Sequence, residues 1–368
     1  MRTPATGGHT GAEADEHPQA PEPEPAQTTP TDPSVNAHRK EDAMKAWSWD
    51  RYGPPDVLTL KDVAEPDIAP DQVLVRVRAA SVNPYDWRHA GADPMLARLS
   101  IGLRRPKPGL ILGADLAGVV ERVGEEVTGL QPGDEVFGEV SLGSFAEAVA
   151  VPQDRLAVKP ARLTFEQAAS VSMAAHTALQ GLRDDGRISA GQRVLVNGAS
   201  GGIGTFAVQL AKTFGAEVTG VCSTRNVELV RSLGADDVVD YTREDFTARQ
   251  GRYDLLMDIV GDRSLAKLRR PLTSRGTLVL VGGISARGGL LGPAAQMLRG
   301  ALVSPFVRQR ITGVRWNPNS ADLQFLAGLM EKEQLTPVID RTYPFAEIPE
   351  ALHYIKRGHA RGKVAITL

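Results

Sequence analysis

The residues with the most chemical content lie in one run, Val194-Leu-Val-Asn197-Gly198-Ala-Ser200-Gly201-Gly202-Ile203-Gly204. It reads as a short apolar strand, a glycine turn and the first turn of a helix. Gly198 permits the tight turn. Gly201 and Gly202 let the backbone approach a ligand with no Cβ in the way, and Gly204 lets the helix pack close on its strand. The unpaired N–H groups of a helix N-terminus face an anion favourably. Ser200, Gly201, Gly202, Ile203 and Gly204 therefore point to the pyrophosphate of a dinucleotide. A glycine pattern alone also fits an ordinary loop. Here the flanks decide, because Phe206 to Lys212 has helical apolar spacing and Glu217 to Cys222 reads as a second strand. An NAD site carries Asp or Glu about 20 residues past the glycines. At that place this chain has Cys222-Ser223-Thr224-Arg225, two hydroxyls and a guanidinium that suit a 2′-phosphate. The expected cofactor is NADP(H). Ser223 and Thr224 also suit the cap of a helix from Asn226 to Leu233.

The elements that position these residues are legible on both sides. Strands are expected at 193–197, 217–222, 237–240, 254–259 and 276–281, with helices between most of them, which argues for a parallel, doubly wound sheet. Val260, Gly282 and Gly283 fall at or just past strand ends, where open α/β sheets bind ligands. From Met44 to about Pro160 the pattern is short strands and turns. Gln72 to Arg78 alternates like a half-buried strand, Gly118 to Val123 and Glu135 to Gly138 follow, and Gln131-Pro-Gly-Asp134 is a turn. The last segment returns to a strand, a helix from Ile348 to Arg357, and a terminal strand from Lys363 to Leu368.

Composition narrows the classes. A net charge of −2 gives no argument for nucleic acid, and the apolar runs are too short and interrupted to span a membrane. The single cysteine, Cys222, forms no internal disulfide, suits a reducing, cytoplasmic compartment and reads as a small apolar core residue. Residues 1–43 hold seven prolines and no aromatic, too little apolar surface to offset chain entropy, so this tail is expected to be disordered or an extended start. The histidines at 9, 17, 38, 89, 176, 353 and 359 show no metal spacing.

Several further motifs carry a resemblance: Ser81-Val-Asn83-Pro-Tyr-Asp86, Leu112-Gly113-Ala-Asp115-Leu-Ala-Gly118, Gly143-Ser-Phe-Ala-Glu147, Leu233 to Tyr241, and Gly358-His-Ala-Arg-Gly-Lys363. In this order and spacing the chain resembles the medium-chain dehydrogenase/reductase superfamily, in its zinc-independent quinone oxidoreductase branch and closest to the reticulon-4-interacting reductases. The resemblance implies an α/β fold: a GroES-like, partly open β-barrel domain over 44–162, rejoined by about 322–368, and a Rossmann domain of doubly wound parallel sheet over 163–321.

The resemblance also implies roles. Asn83 would sit beside the nicotinamide and bond the cofactor or the acceptor oxygen; from the sequence alone it reads equally as a turn before Pro84. Thr177 would lie near the same ring and Tyr241 near the 2′-phosphate. His359, Ala360, Arg361 and Lys363 would close over the cofactor. Leu290, Leu291, Met297 and Phe306 would line an apolar cleft, although core packing or a subunit contact explains them as well. Zinc-dependent members carry a Cys in the segment matching Ser81 to Asp86 and a His-Glu pair in that matching Gly113 to Asp115. This chain has Asn83, Pro84, Ala114 and Asp115 there, so no metal is expected. No general acid stands out, and Asp86 reads as a loop-holding residue. The reading is an NADPH-dependent reductase of a small hydrophobic quinone or α,β-unsaturated carbonyl, a homodimer by resemblance. An enoyl-thioester reductase and a low-turnover NADPH-binding interaction or sensor protein remain open beside it.

Overall fold

The computed structural model describes residues 43–282 and 294–368. The tail read as disordered therefore lies outside the described residues up to 42, as do Gly283, Leu290 and Leu291.

Among the described residues the chain forms one small and two large sheets. Strands β1 (Ala43–Trp49) and β2 (Leu58–Ala64) pair antiparallel. Strands β3 (Gln72–Val82), β4 (Asp115–Val123), β5 (Glu135–Glu139), β6 (Ala148–Pro152) and β7 (Leu156–Val158) then build most of a second sheet. The late strands β14 (Ile339–Pro344) and β15 (Lys363–Thr367) complete it in the order β14-β15-β3-β4-β5-β7, with β6 also on β3. β3 runs longer than its alternation suggests and is covered on both sides. Val73, Val75 and Val77 enter one cluster, whereas Leu74 packs with Met44, Ala46, Ala146 and Ala148 in another. The half-buried expectation holds at Gln72, Arg76 and Arg78, which stay partly or fully exposed, and departs at Leu74, which β1 and the segment before β6 cover.

The third sheet is wholly parallel. Its strands are β8 (Arg193–Asn197), β9 (Glu217–Cys222), β10 (Asp237–Asp240), β11 (Tyr253–Asp258), β12 (Leu272–Leu280) and β13 (Arg310–Gly313), in the order β10-β9-β8-β11-β12-β13. Val194 and Val196 of β8 face one cluster and Leu195 the opposite one, as in a sheet covered on both faces. The order reverses between β8 and β11, so the crevice for a ligand opens past Asn197 and Asp258. β12 starts four residues earlier than expected because Leu272 already pairs with Tyr253 across an irregularity in β11.

The helices used below are α1 (Pro84–Gly91), α2 (Ser172–Gln180), α3 (Gly202–Thr213), α4 (Val227–Ser232), α5 (Ser320–Glu331) and α6 (Ile348–Lys356). The helix expected from Asn226 is shorter. A 3-10 turn, Thr224–Asn226, precedes α4, and the side chains of Ser223 and Thr224 cap nothing.

Candidate active site

Asn83 ends up on a polar cluster because three strands are in register. β3 pairs with β4 so that Ser81 faces Asp115, and β4 pairs with β5 so that Asp115 faces Glu139. On the other edge Val82 faces Val364, which brings Lys363 level with Asn83. β3 stops there because Pro84 opens α1 with its fixed φ. The turn is closed by backbone: Asp86 N donates to the Asn83 carbonyl at 3.0 Å, and Asn83 N donates to the Asp86 carboxyl at 2.6 Å. The turn reading is therefore correct for the main chain, and the side chain is left over for other work. Lys363 Nζ donates to Asn83 Oδ1 at 2.5 Å and to Asp115 Oδ2 at 3.0 Å. Asn83 Nδ2 and Ser81 Oγ each donate to Asp115 Oδ2 at 2.9 Å, and Met173 N donates to Oδ1 at 2.9 Å. Ser81, Asn83, Asp115 and Lys363 are all buried.

Two more buried carboxyls flank this cluster. Asp86 holds the turn, as the sequence suggested, but burial pushes its pKa up to about 8, with Asp115 adding to the rise and the Asn83 N–H and Lys363 opposing it. Glu139, raised chiefly by burial, meets His176 Nδ1 of α2 at 2.6 Å, while His176 Nε2 faces the Asn319 carbonyl at 3.2 Å. Both ring nitrogens face acceptors. Neither pair was legible beforehand, since Glu139 stands in no motif. Tyr85, whose pKa burial pushes up to about 12, stacks on His89 with centroids 3.9 Å apart.

The glycine turn faces the crevice of the parallel sheet. Gly198 has φ +93°, and a Cβ there would lie 2.9 Å from Cγ2 of Val260, so Val260 roofs the turn. At Gly204 a Cβ would come within 2.0 Å of the Gly198 carbonyl, the close strand–helix approach expected of it. Gly198→Ala is expected to cost about 1–3 kcal/mol through the strained φ and this contact. An unchanged urea midpoint would show that the turn tolerates a Cβ.

The C-terminal segment clasps the turn. Gly362 N donates to the Ser200 carbonyl at 2.9 Å, and Gly201 and Gly362 form an isolated parallel bridge. Arg225 Nη2 donates to the His359 carbonyl at 2.7 Å, and Ser200 Oγ accepts from Asn226 Nδ2 at 2.9 Å. Gly202 and Ile203 open α3 beside this clasp.

Other expected residues are placed less centrally. Thr177 is buried on α2 and its hydroxyl donates back to the Met173 carbonyl at 2.7 Å. Tyr241, half exposed, follows β10, and its N–H donates to the Cys222 carbonyl at 3.0 Å. Gly282, with φ +86°, follows β12. Ala360 packs against the cluster of Trp47, Leu112 and Ile355, and Arg361 is exposed, its N–H on Asp340 at 3.0 Å. One reading needs correction. The end of β9 is not free of acid: Asp240 of β10 accepts from Thr224 Oγ1 at 2.5 Å and from the N–H and hydroxyl of Thr242, and the Thr224 bond leads in holding its carboxyl below the usual range. The acid comes from a neighbouring strand, invisible to a scan of the second. Met297 packs against the parallel sheet's core, one of the alternatives open for it, and Phe306 is exposed. Cys222 is buried core, its thiol pushed up to about 11 by burial.

The fold and site define a dinucleotide-type parallel sheet joined to a GroES-like sheet, with a polar cluster on the latter. The alcohol dehydrogenase GroES-like domain family matches residues 69–161, and the zinc-binding dehydrogenase family matches 233–366. The chain belongs to the medium-chain dehydrogenase/reductase superfamily. It is 37% identical over 337 residues to 2-methylene-furan-3-one reductase of Solanum lycopersicum, covering 88% of this chain and 79% of that one. It is 34% identical over 363 residues to NAD(P)H oxidoreductase RTN4IP1, mitochondrial, of Danio rerio, covering 91% and 94%. The structure of the quinone oxidoreductase from Coxiella burnetii superposes with TM-score 0.78 at 31% identity, covering 89% of this chain and 99% of that one. The zinc in the second family's description does not fit the donor set found here. An ammonium, Lys363, lies between the amide and the carboxylate where a dication would need ligands, and neither thiolate nor imidazole converges on it. Among the described residues no group of three or more His, Cys, Asp or Glu forms a metal site.

Proposed function

We propose that this protein is a zinc-independent, NADPH-dependent reductase of quinones or α,β-unsaturated carbonyls. The observation that carries the proposal is the Lys363–Asn83–Asp115 cluster, a charged hydrogen-bonding centre with no metal ligands, on a chain whose relatives are named as reductases of this kind. The glycine turn fits a dinucleotide: its left-handed Gly198, the small residues at the start of α3 and the open crevice between β8 and β11 suit a pyrophosphate. Ser200, Gly201, Gly202 and Ile203 would hold that group, Gly204 would set the turn, and Val260, Gly282 and Thr177 would border the nicotinamide side. Ser223, Thr224, Arg225 and Tyr241 would hold the 2′-phosphate. His359, Ala360 and Arg361 would cover the site through the clasp. NADPH supplies a hydride when bound. The chain's own part is to orient the acceptor, exclude water and place a donor where negative charge gathers on the acceptor oxygen.

The first experiment is NADPH oxidation with 9,10-phenanthrenequinone, an alkenal and a crotonyl thioester, with NADH and a chelator as controls. Chelator-insensitive turnover preferring NADPH is expected. Chelator-sensitive turnover would refute zinc independence, and a preferred thioester would move the substrate class. Tight NADPH binding without turnover would favour a binding protein. Arg225→Ala is expected to weaken NADPH binding by about 10–100-fold, the worth of a hydrogen bond to a charged group, and to leave NADH binding alone. Equal losses for both nucleotides would remove Arg225 from the phosphate.

The edge strand β13 has one neighbour among the described residues, which suits the homodimer, and elution at monomer mass would refute it. Among the described residues no helix is long and apolar enough to cross a membrane. The cytoplasm suits the lone buried thiol, and the zebrafish relative is named as mitochondrial.

A further inference from the structure

The resemblance places Lys363 over the cofactor, and its ammonium meets Asn83 and Asp115. The side chain passes the glycine turn so closely that a Cβ at Gly202 would stand 3.0 Å from Lys363 Cδ. It then delivers Nζ to Asn83 Oδ1 at 2.5 Å and Asp115 Oδ2 at 3.0 Å, with the residue only 4% exposed.

The chemistry of the two partners fixes the orientation of the carboxamide between them. Lysine only donates and an ionised carboxylate only accepts. Oδ1 must therefore face Lys363 and Nδ2 must face Asp115. The flipped amide would set NH₂ against the ammonium and oxygen against the carboxylate, losing two charge-assisted bonds. Asp115 is itself held by Ser81 Oγ and Met173 N. One of the two Nδ2 hydrogens is used by Asp115, and among the described residues the other has no protein partner.

We propose that Lys363 and Asp115 are positioning residues for Asn83: they lock its carboxamide so that the second Nδ2–H is presented to the oxygen of the hydride acceptor. The inference rests on the reductase reading above and gives that reaction its oxyanion donor. The ammonium bound to Oδ1 draws electron density from the amide and strengthens that N–H as a donor while charge develops on the acceptor oxygen. No proton leaves the lysine; the product takes its proton from water. A buried ion pair is by itself weak evidence for stability, since an apolar residue of similar shape often replaces one at little cost.

The test is Lys363→Met, with Lys363→Arg as the conservative variant, assayed with NADPH against 9,10-phenanthrenequinone and an alkenal. For Lys363→Met, kcat is expected to fall about 10–100-fold, somewhat less than for loss of an oxyanion donor itself. NADPH affinity by fluorescence should stay within about threefold, the isotope effect with C4-deuterated NADPH should rise, and Lys363→Arg or added ethylammonium should restore part of kcat. If Lys363→Met does not fold, Asp115→Asn serves, because it leaves the lysine in place and removes the lock; the same split between kcat and NADPH affinity is expected. Parent-like kcat in these variants would overturn the inference and leave the reductase reading standing. A kcat loss matched by lost NADPH affinity would also overturn it and return Lys363 to the cofactor. A parent enzyme that binds NADPH but reduces no acceptor would defeat the reductase reading, and the inference with it.

Discussion

Asn83→Ala lowers kcat/KM for the acceptor by about 100–1,000-fold, the usual cost of deleting one donor to a developing oxyanion. The size of the expected effect follows from how the residue is used. Its backbone already closes the turn into α1 through Asp86, and that bond survives the substitution. Its side chain also stands over the Asp86 N–H in a capping-box arrangement, so the substitution carries an N-cap cost of about 1 kcal/mol besides. What disappears is the amide between Lys363 and Asp115, which keep each other at 3.0 Å. NADPH affinity should therefore change little while turnover falls. Stopped-flow and steady-state rates, with a titration of NADPH fluorescence, separate these terms. A kcat/KM within threefold of the parent would remove Asn83 from the chemistry; a fall confined to NADPH affinity would make it a cofactor ligand.

The division between what the sequence shows and what it hides is physical. The parallel sheet was readable because its strands are short apolar runs bounded by glycines and helices, and β8, β9 and β10 start and stop where the pattern does. The glycine turn was readable because only glycine fits Gly198 and Gly204. Asn83 was readable from its motif, and Asp115 stood in view as the residue in place of a zinc ligand. Their joining was not readable, because Lys363 reaches Asn83 through an antiparallel pairing of segments about 280 positions apart. The same holds for Asp240 beside Thr224 and for His176 on Glu139: each contact is set by sheet order, not by local spacing. At Leu74 β3 departs from its pattern for a related reason, since alternation says nothing of the strand later laid over one position.

The cluster also sets how stability responds to pH. Asp86, Asp115 and Glu139 are three buried carboxyls grouped around Lys363 and His176. Asp115 accepts four hydrogen bonds, whereas one Asp86 oxygen accepts a single N–H and the other has no partner among the described residues. Burial makes Asp86 the member that keeps its proton, with a pKa of about 8 against 3.8 as the reference value. A raised acid of this kind favours the folded state fully below the unfolded pKa. As pH rises between the two values the unfolded chain ionises and the folded one does not, so stability falls by about 1.4 kcal/mol per pH unit. Asp86→Asn copies the neutral acid, keeps an oxygen for Asn83 N, and cannot ionise. Its advantage over the parent should be near zero at pH 4, grow steadily through neutrality, and level off above about pH 8. Urea midpoints of the two proteins at intervals across that range measure it. Asp86→Ala is the control: it removes the acceptor and should lose about 1–3 kcal/mol for the unpaired Asn83 N–H. Parallel curves for Asp86→Asn and the parent would mean that Asp86 is ionised in the folded protein, with Lys363 and the turn N–H outweighing its burial.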